Sequence, residues 1–141
     1  FALFAFLWTH FSQEGSNMKQ KFLICQHCGN IVAMIRDKGV PVYCCGEKMQ
    51  ELVANTVDAS AEKHVPHVTM ADKCTMKVEV GSVRHPMTPE HHIAFIYVET
   101  QNGGMQHLLK DEPIAEFCVC KEKPIAVYEY CNLHGLWKKD L

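Results

Sequence analysis

Two sets of side chains in this sequence have the types and spacing to hold metal ions. The first is Cys25-x2-Cys28, fifteen residues, and then the adjacent pair Cys44-Cys45. The second gathers His64, His85, His91, Cys131 and His134 from the segments Glu62-Lys63-His64, His85-x5-His91 and Cys131-x2-His134. Four thiolates in two close pairs can surround one tetrahedral ion, and zinc and iron are evenly matched for such a site. An ordinary zinc ribbon spaces both of its pairs. The adjacent pair here restricts side-chain placement and predicts a distorted tetrahedron. A bridge between Cys44 and Cys45 is the alternative, and a disulfide between neighbours is strained. The second set offers four imidazoles and one thiolate. Zinc rarely accepts five protein ligands, whereas octahedral non-haem iron would keep one position open for a substrate. His92 stands beside His91, and spacing does not choose between them. His10, His27, His67 and His107 read as ordinary histidines, and Cys74, Cys118 and Cys120 as core or sheet thiols.

The elements that must carry these ligands are strands. Residues 21–24 read as a strand leading into the Cys25–Cys28 knuckle, and residues 31–35 as a second. Asp37-Lys38-Gly39 reads as a hairpin turn, and residues 40–43 as the return to Cys44-Cys45. A module this short has almost no apolar core of its own and needs a metal staple. Downstream, residues 74–80 alternate strictly, with Cys74, Met76, Val78 and Val80 on one face; that is a half-buried strand. Residues 93–98, 115–120 and 125–130 read as further strands. Gln101 to Gly104 and Lys121 to Pro124 read as turns. No stretch has sustained helical periodicity. Short strands between turn signals predict an antiparallel β-sandwich.

Composition narrows the function. With 141 residues the chain has room for a small module and one domain of about 100 residues. A formal charge of -2 leaves no basic stripe to neutralise phosphates, which argues against a nucleic-acid partner. The apolar stretch over residues 1–11 is too short for a membrane span, which needs about 20 residues. It also lacks the basic start and cleavage site of a signal peptide. Met18 reads as the natural start and residues 1–17 as a non-native or upstream-derived extension, with a truncated export signal as the alternative. Five of the eight cysteines carry metal-ligand spacing, which fits a reducing, cytoplasmic setting better than a disulfide scaffold.

Taken together, these residues resemble the desulfoferrodoxin family, the two-iron class of superoxide reductases. The resemblance rests on Cys25-x2-Cys28-x15-Cys44-Cys45, Asn55-Thr56-Val57-Asp58-Ala59, Glu62-Lys63-His64-Val65-Pro66, His85-Pro86-Met87, His91 and Cys131-Asn132-Leu133-His134-Gly135. It implies a desulforedoxin-like domain over residues 18–52, with an iron–tetrathiolate centre on Cys25, Cys28, Cys44 and Cys45. It implies an immunoglobulin-like β-sandwich over residues 53–141, with a second iron held by His64, His85, His91 and His134 and an axial Cys131. It selects His91 over His92. The implied activity is one-electron reduction of superoxide to hydrogen peroxide. Lys63 would draw in the anion, and Glu62 would serve as the carboxylate able to occupy the sixth position at rest. The implied partners are a rubredoxin-type electron donor and a second copy of the chain. Three rival readings remain from the residues alone: an electron carrier working through the tetrathiolate centre, a zinc-ribbon binding module, and a superoxide dismutase.

Overall fold

The computed structural model describes residues 19–141; Met18 and residues 1–17 lie outside the described residues. All strand pairs among the described residues are antiparallel. The N-terminal module pairs β1 (Lys21–Ile24) with β2 (Ile31–Met34) on one side and β5 (Gln50–Glu51) on the other. A separate two-residue ribbon joins β3 (Tyr43–Cys44) to β4 (Glu47–Lys48). The predicted return strand over residues 40–43 is shorter than expected and pairs elsewhere. Asp37 makes no hairpin with it; its carboxylate instead accepts the Gly39 N–H at 2.7 Å and the Lys21 ammonium at 2.8 Å. A short polar side chain has capped the local backbone in place of a strand ladder.

The sandwich has two sheets. One orders β10 (Ile114–Cys118), β7 (Thr75–Val80) and β6 (Pro66–Met70); the other orders β12 (Gly135–Asp140), β11 (Pro124–Cys131), β8 (Ile93–Thr100) and β9 (Gly103–Leu108). Met76, Val78, Ile93, Ile96, Val98, Phe117 and Val127 fill the space between them. The alternation of residues 75–80 is realised as expected, with every second side chain buried. Strands β6, β9 and β12 are not evident in the sequence. β9 (GGMQHL) is largely exposed and exists because β8 templates it, and β6 buries little besides Pro66. Such strands carry weak intrinsic signal and are set by their partners. One turn of helix, α1 (Ala61–His64), precedes β6.

The two parts share an aromatic contact. Phe22 of β1 is buried, with its ring centroid 5.7 Å from Phe95, 5.2 Å from Tyr97 and 5.4 Å from Tyr128. Burying one such side chain is worth about 2–3 kcal/mol, a sizeable share for a module whose own cluster is Leu23, Cys25 and Met49.

One expectation is corrected outright. Cys74 and Cys120 are not core or sheet thiols but are joined in a disulfide, whereas Cys118 is, as expected, a free thiol on the sheet, at the exposed face of β10. Along β10 and the two residues after it Ala115, Phe117 and Val119 are buried, and the even-numbered Cys118 and Cys120 are exposed. The pleat of the strand removes them from the core.

Candidate metal centres

Among the described residues, two groups of side chains bring potential ligand atoms within 4.8 Å of one another: His64, His85, His91, Cys131 and His134, and Cys25, Cys28, Cys44 and Cys45. Both coincide with the sets read from spacing. The remaining histidines stay out of the clusters. His27, His67 and His107 are exposed, His10 lies outside the described residues, and the His92 ring donates to the Thr88 carbonyl at 3.1 Å.

The five-residue cluster forms at one end of the sandwich. His64 closes α1, His85 and His91 sit in the loop from β7 to β8, Cys131 ends β11, and His134 lies in the turn to β12. A register shift between Tyr130 and Cys131 marks the end of β11, the kind of bulge that re-aims side chains beside a site. The His64 Nδ1–H donates to the Ser60 carbonyl at 2.7 Å and the His85 Nδ1–H to the Pro86 carbonyl at 2.8 Å. Those bonds fix both tautomers with the bare Nε2 facing inward. His64 Nε2 then lies 3.0 Å from His134 Nδ1 and 3.3 Å from His85 Nε2. Cys131 Sγ is 3.6 Å from both His85 Nε2 and His134 Nδ1. The inward His91 Nε2 is buried with no hydrogen-bond partner. Lone pairs crowded face to face with an orphaned nitrogen are what a bound cation would relieve, so the donor set fits a metal.

Titration properties agree. Burial lowers the His64 pKa, and the nearby His134, His91 and Lys63 charges lower it further, against the raising effect of the Ser60 carbonyl. Burial brings His85 down to about 4. Burial also lowers His91, with His134, His92 and Lys63 adding to it. These imidazoles are therefore neutral and able to ligate at neutral pH. Cys131 is fully buried, and burial raises its pKa although the N–H groups of Leu133 and His134 oppose the rise. Without a cation beside it the sulfur stays a thiol; with one it becomes a thiolate. Glu62 and Lys63 lie exposed on α1 immediately before His64.

Several residues that hold this cluster have no spacing signature. Trp137 stacks on His64 at 4.9 Å and donates to the His134 carbonyl at 3.1 Å. The Asn132 side chain accepts the His92 N–H at 2.8 Å and donates to the Glu90 carbonyl at 2.9 Å, clamping the loop that carries His91. Glu129 is fully buried two residues before Cys131, neither of its carboxyl oxygens has a hydrogen-bond partner, and burial pushes its pKa well above the usual range. Gly81, with φ +79, lies where a Cβ would meet the carbonyls of Val83, Lys63 and Glu62.

The cysteine cluster is built by two tight turns. The knuckle directs the Cys28 N–H at Cys25 Sγ, 3.5 Å away, which is the main cause bringing the Cys25 pKa down to about 6. Cys45 and Gly46 have φ 51 and φ 76 and turn β3 into β4. Positive φ at both central residues of a two-residue hairpin is the type I′ turn. This left-handed Cys45 resolves the difficulty of the adjacent pair: extended neighbours would point to opposite faces, whereas here both sulfurs face the same partners. Cys28 Sγ lies 3.6 Å from Cys44 Sγ. The Cys44 and Cys45 pKa values are raised first by contact with Cys28, Cys45 to about 12, because thiols this close do not all ionise without a cation among them. Both are free cysteines, so the expected alternative of a Cys44–Cys45 bridge does not occur.

Neither cluster lies in the surface groove that runs between β2 and the β8–β9 hairpin and is lined by residues including Met34, Tyr97 and Gly104. No helix among the described residues is long and apolar enough to cross a membrane.

Comparison with known proteins places this arrangement. The family model described as Desulfoferrodoxin matches residues 56–140. A desulfoferrodoxin from Nitratidesulfovibrio vulgaris is 43% identical over 118 residues, 82% of this chain and 92% of the relative. A superoxide reductase from Pyrococcus abyssi is 34% identical over 103 residues, 60% of this chain and 90% of the relative. The crystal structure of the superoxide reductase from Treponema pallidum superposes with a TM-score of 0.74 at 34% identity, covering 87% of this chain and 100% of the other.

Proposed function

The chain belongs to the desulfoferrodoxin family, and from that premise we propose that it is a superoxide reductase, turning superoxide and two protons into hydrogen peroxide with one electron from outside. The observation that carries the proposal is the inward set of four imidazoles and one thiol with an orphaned His91 Nε2. Five protein donors on an octahedral ion leave one position for a small anion.

In this reading His64, His85, His91, His134 and Cys131 hold one iron, and Cys25, Cys28, Cys44 and Cys45 hold the other. Iron at the histidine site supplies the one-electron couple and the positive charge that attracts the substrate. The rest of the work belongs to the chain. The Ser60 and Pro86 carbonyls keep His64 and His85 in the ligating tautomer. Burial keeps the ring nitrogens neutral, and the N–H groups of Leu133 and His134 steady the Cys131 sulfur. Lys63 already contributes to the potential at His64 and His91; it steers the anion inward and orients water for proton delivery. Glu62 would supply a carboxylate beside the site, able to act as a further ligand to iron held there. Residues 18–52 form the iron–tetrathiolate domain, an electron relay or a staple of the fold, and residues 53–141 the catalytic domain. The electron source is a rubredoxin-type protein, the assembly a homodimer, and the compartment the cytoplasm.

Product stoichiometry tests the activity. The iron-loaded protein is given superoxide and excess reductant under anaerobic conditions, and peroxide and dioxygen are both measured. One peroxide per superoxide with no dioxygen supports the reductase. One peroxide and one dioxygen per two superoxides would make the protein a dismutase, and no consumption would leave it an electron carrier.

A further inference from the structure

We propose that Cys74 and Cys120 form a third redox site, a reversible dithiol–disulfide couple separate from both metal clusters. The argument starts from placement. Cys74 lies just before β7 and Cys120 two residues after β10, so the pair closes a 46-residue separation at one end of the β10–β7–β6 sheet. The metal ligands His85 and His91 follow the opposite end of β7, a strand about 20 Å long. Neither cysteine belongs to a metal cluster.

Register explains why these two pair. Cys118 sits opposite Thr75, and the Val119 N–H donates to the Cys74 carbonyl at 2.7 Å. By that register Cys74 stands opposite Val119; the ladder ends there, and just beyond it the Cys74 and Cys120 Cα atoms are 4.4 Å apart, within bonding range for a disulfide. Cys118 has the same residue type and the same exposure as Cys120 but stands opposite Thr75 inside β10, and it remains free. The pairing is thus selected by backbone geometry.

Accessibility opens the bond to exchange. Cys120 is exposed and Cys74 half-buried, so an external thiolate can reach the Cys120 sulfur. In a reducing compartment a surface disulfide persists only as a working couple, and this step of the argument rests on the cytoplasmic setting proposed above.

The chemistry balances in both directions. Reduction by a thiol of the glutathione or thioredoxin class transfers two electrons, opens the Cys74–Cys120 bond and leaves two protein thiols and one external disulfide. Oxidation by one hydrogen peroxide, the product of the proposed activity, takes Cys120 to a sulfenic acid with release of water; Cys74 then attacks that sulfur, forming the bond and releasing a second water. The couple would thereby respond to the peroxide made on the same chain.

The test is thiol mapping on the full-length, iron-loaded protein. Samples are equilibrated anaerobically across a series of reduced to oxidised glutathione ratios, quenched in acid and alkylated, and Cys74, Cys118 and Cys120 are read on their own peptides. Cys74 and Cys120 are expected to become protected together over about a 100-fold change in that ratio, as mass action requires of one two-electron couple, while Cys118 labels throughout. One equivalent of peroxide added to the reduced protein should remove both labels together. C118S should leave the titration in place. A bond that stays closed across the whole series would make it a static brace and overturn the proposal. So would independent labelling of Cys74 and Cys120, or pairing of Cys74 with Cys118. None of these readouts depends on superoxide turnover, so failure here and failure of the superoxide reductase reading are distinguishable.

Discussion

The substitution Gly81→Ala should damage the histidine site without touching a ligand. Gly81 follows β7 with φ +79, and a Cβ there would lie 2.6 Å from the Val83 carbonyl oxygen, 2.7 Å from that of Lys63 and 2.8 Å from that of Glu62. Ordinary carbon–oxygen contact is about 3.3 Å or more, so three backbone atoms from two segments must each retreat by roughly half an ångström. None is the end of a flexible side chain. Placing Ala in the left-handed region costs about 1–2 kcal/mol. Overpacking against fixed backbone adds about 1–3 kcal/mol, and the lost freedom of the unfolded chain returns about 0.4–1 kcal/mol. The net is a destabilisation of about 2–4 kcal/mol, which for a chain of this size is a fall in Tm of roughly 8–16 °C. The damage is directional. The Glu62 carbonyl also accepts the Ser82 N–H at 2.8 Å, and the next residues are Lys63 and His64. Displacing that carbonyl moves the base of the helix that aims His64. The assay pairs thermal unfolding with iron content at each centre. Iron should be lost from the histidine site while the tetrathiolate chromophore stays. Gly103→Ala is the control, because nothing lies within 4 Å of its added Cβ. A Gly81→Ala protein within 1 kcal/mol of the parent, with full histidine-site iron, would refute the reasoning.

Four further outcomes are expected. Lys63→Ala should slow superoxide encounter about tenfold at low ionic strength and flatten its salt dependence; rapid-mixing or pulse-radiolysis kinetics would read this, and an unchanged rate would remove Lys63 from steering. The metal-free protein should lose stability as pH falls from about 6.5 towards about 4: His85 is held below its unfolded pKa, so the unfolded chain binds protons first, at a cost on the order of 3 kcal/mol for this residue. Denaturant titrations across that window check the sign, and a flat profile would contradict the burial argument. Asn132→Ala removes two hydrogen bonds from the loop bearing His91 and should weaken metal binding at the histidine site about 10–100-fold, read by competition with a chelator. Cys45→Ser should abolish the tetrathiolate chromophore and loosen the N-terminal module while histidine-site iron is retained; loss of both metals together would mean the two parts do not fold independently of the first centre.

Much of the candidate chemistry was legible in the chain because ligands are scarce residue types at short spacings. Cys25-x2-Cys28, Cys44-Cys45 and Cys131-x2-His134 each bring two donors together locally, and the strict alternation of residues 75–80 declares a half-buried strand. Polarity and exposure hid the rest. β9 has little apolar pattern and is held by its neighbour β8. Spacing left His91 and His92 equivalent and the resemblance selected His91; the fold supplies the physical reason, since the loop clamped by Asn132 turns His91 inward and leaves His92 on the Thr88 carbonyl. Cys74, Cys118 and Cys120 were indistinguishable as a set; the end of the β7–β10 ladder brings Cys74 and Cys120 together and leaves Cys118 opposite Thr75 and free.

The sequence by itself determined which atoms were available to bind metal and the β character of the chain that carries them, because residue chemistry and short-range spacing are local properties. Tertiary structure alone decided the inward tautomers of His64 and His85, the stacking of Trp137 on His64, the burial of Glu129 and the close approach of Gly81 to α1. Each of these joins segments far apart in the chain or depends on exclusion of water, and neither distance nor dielectric is written in spacing.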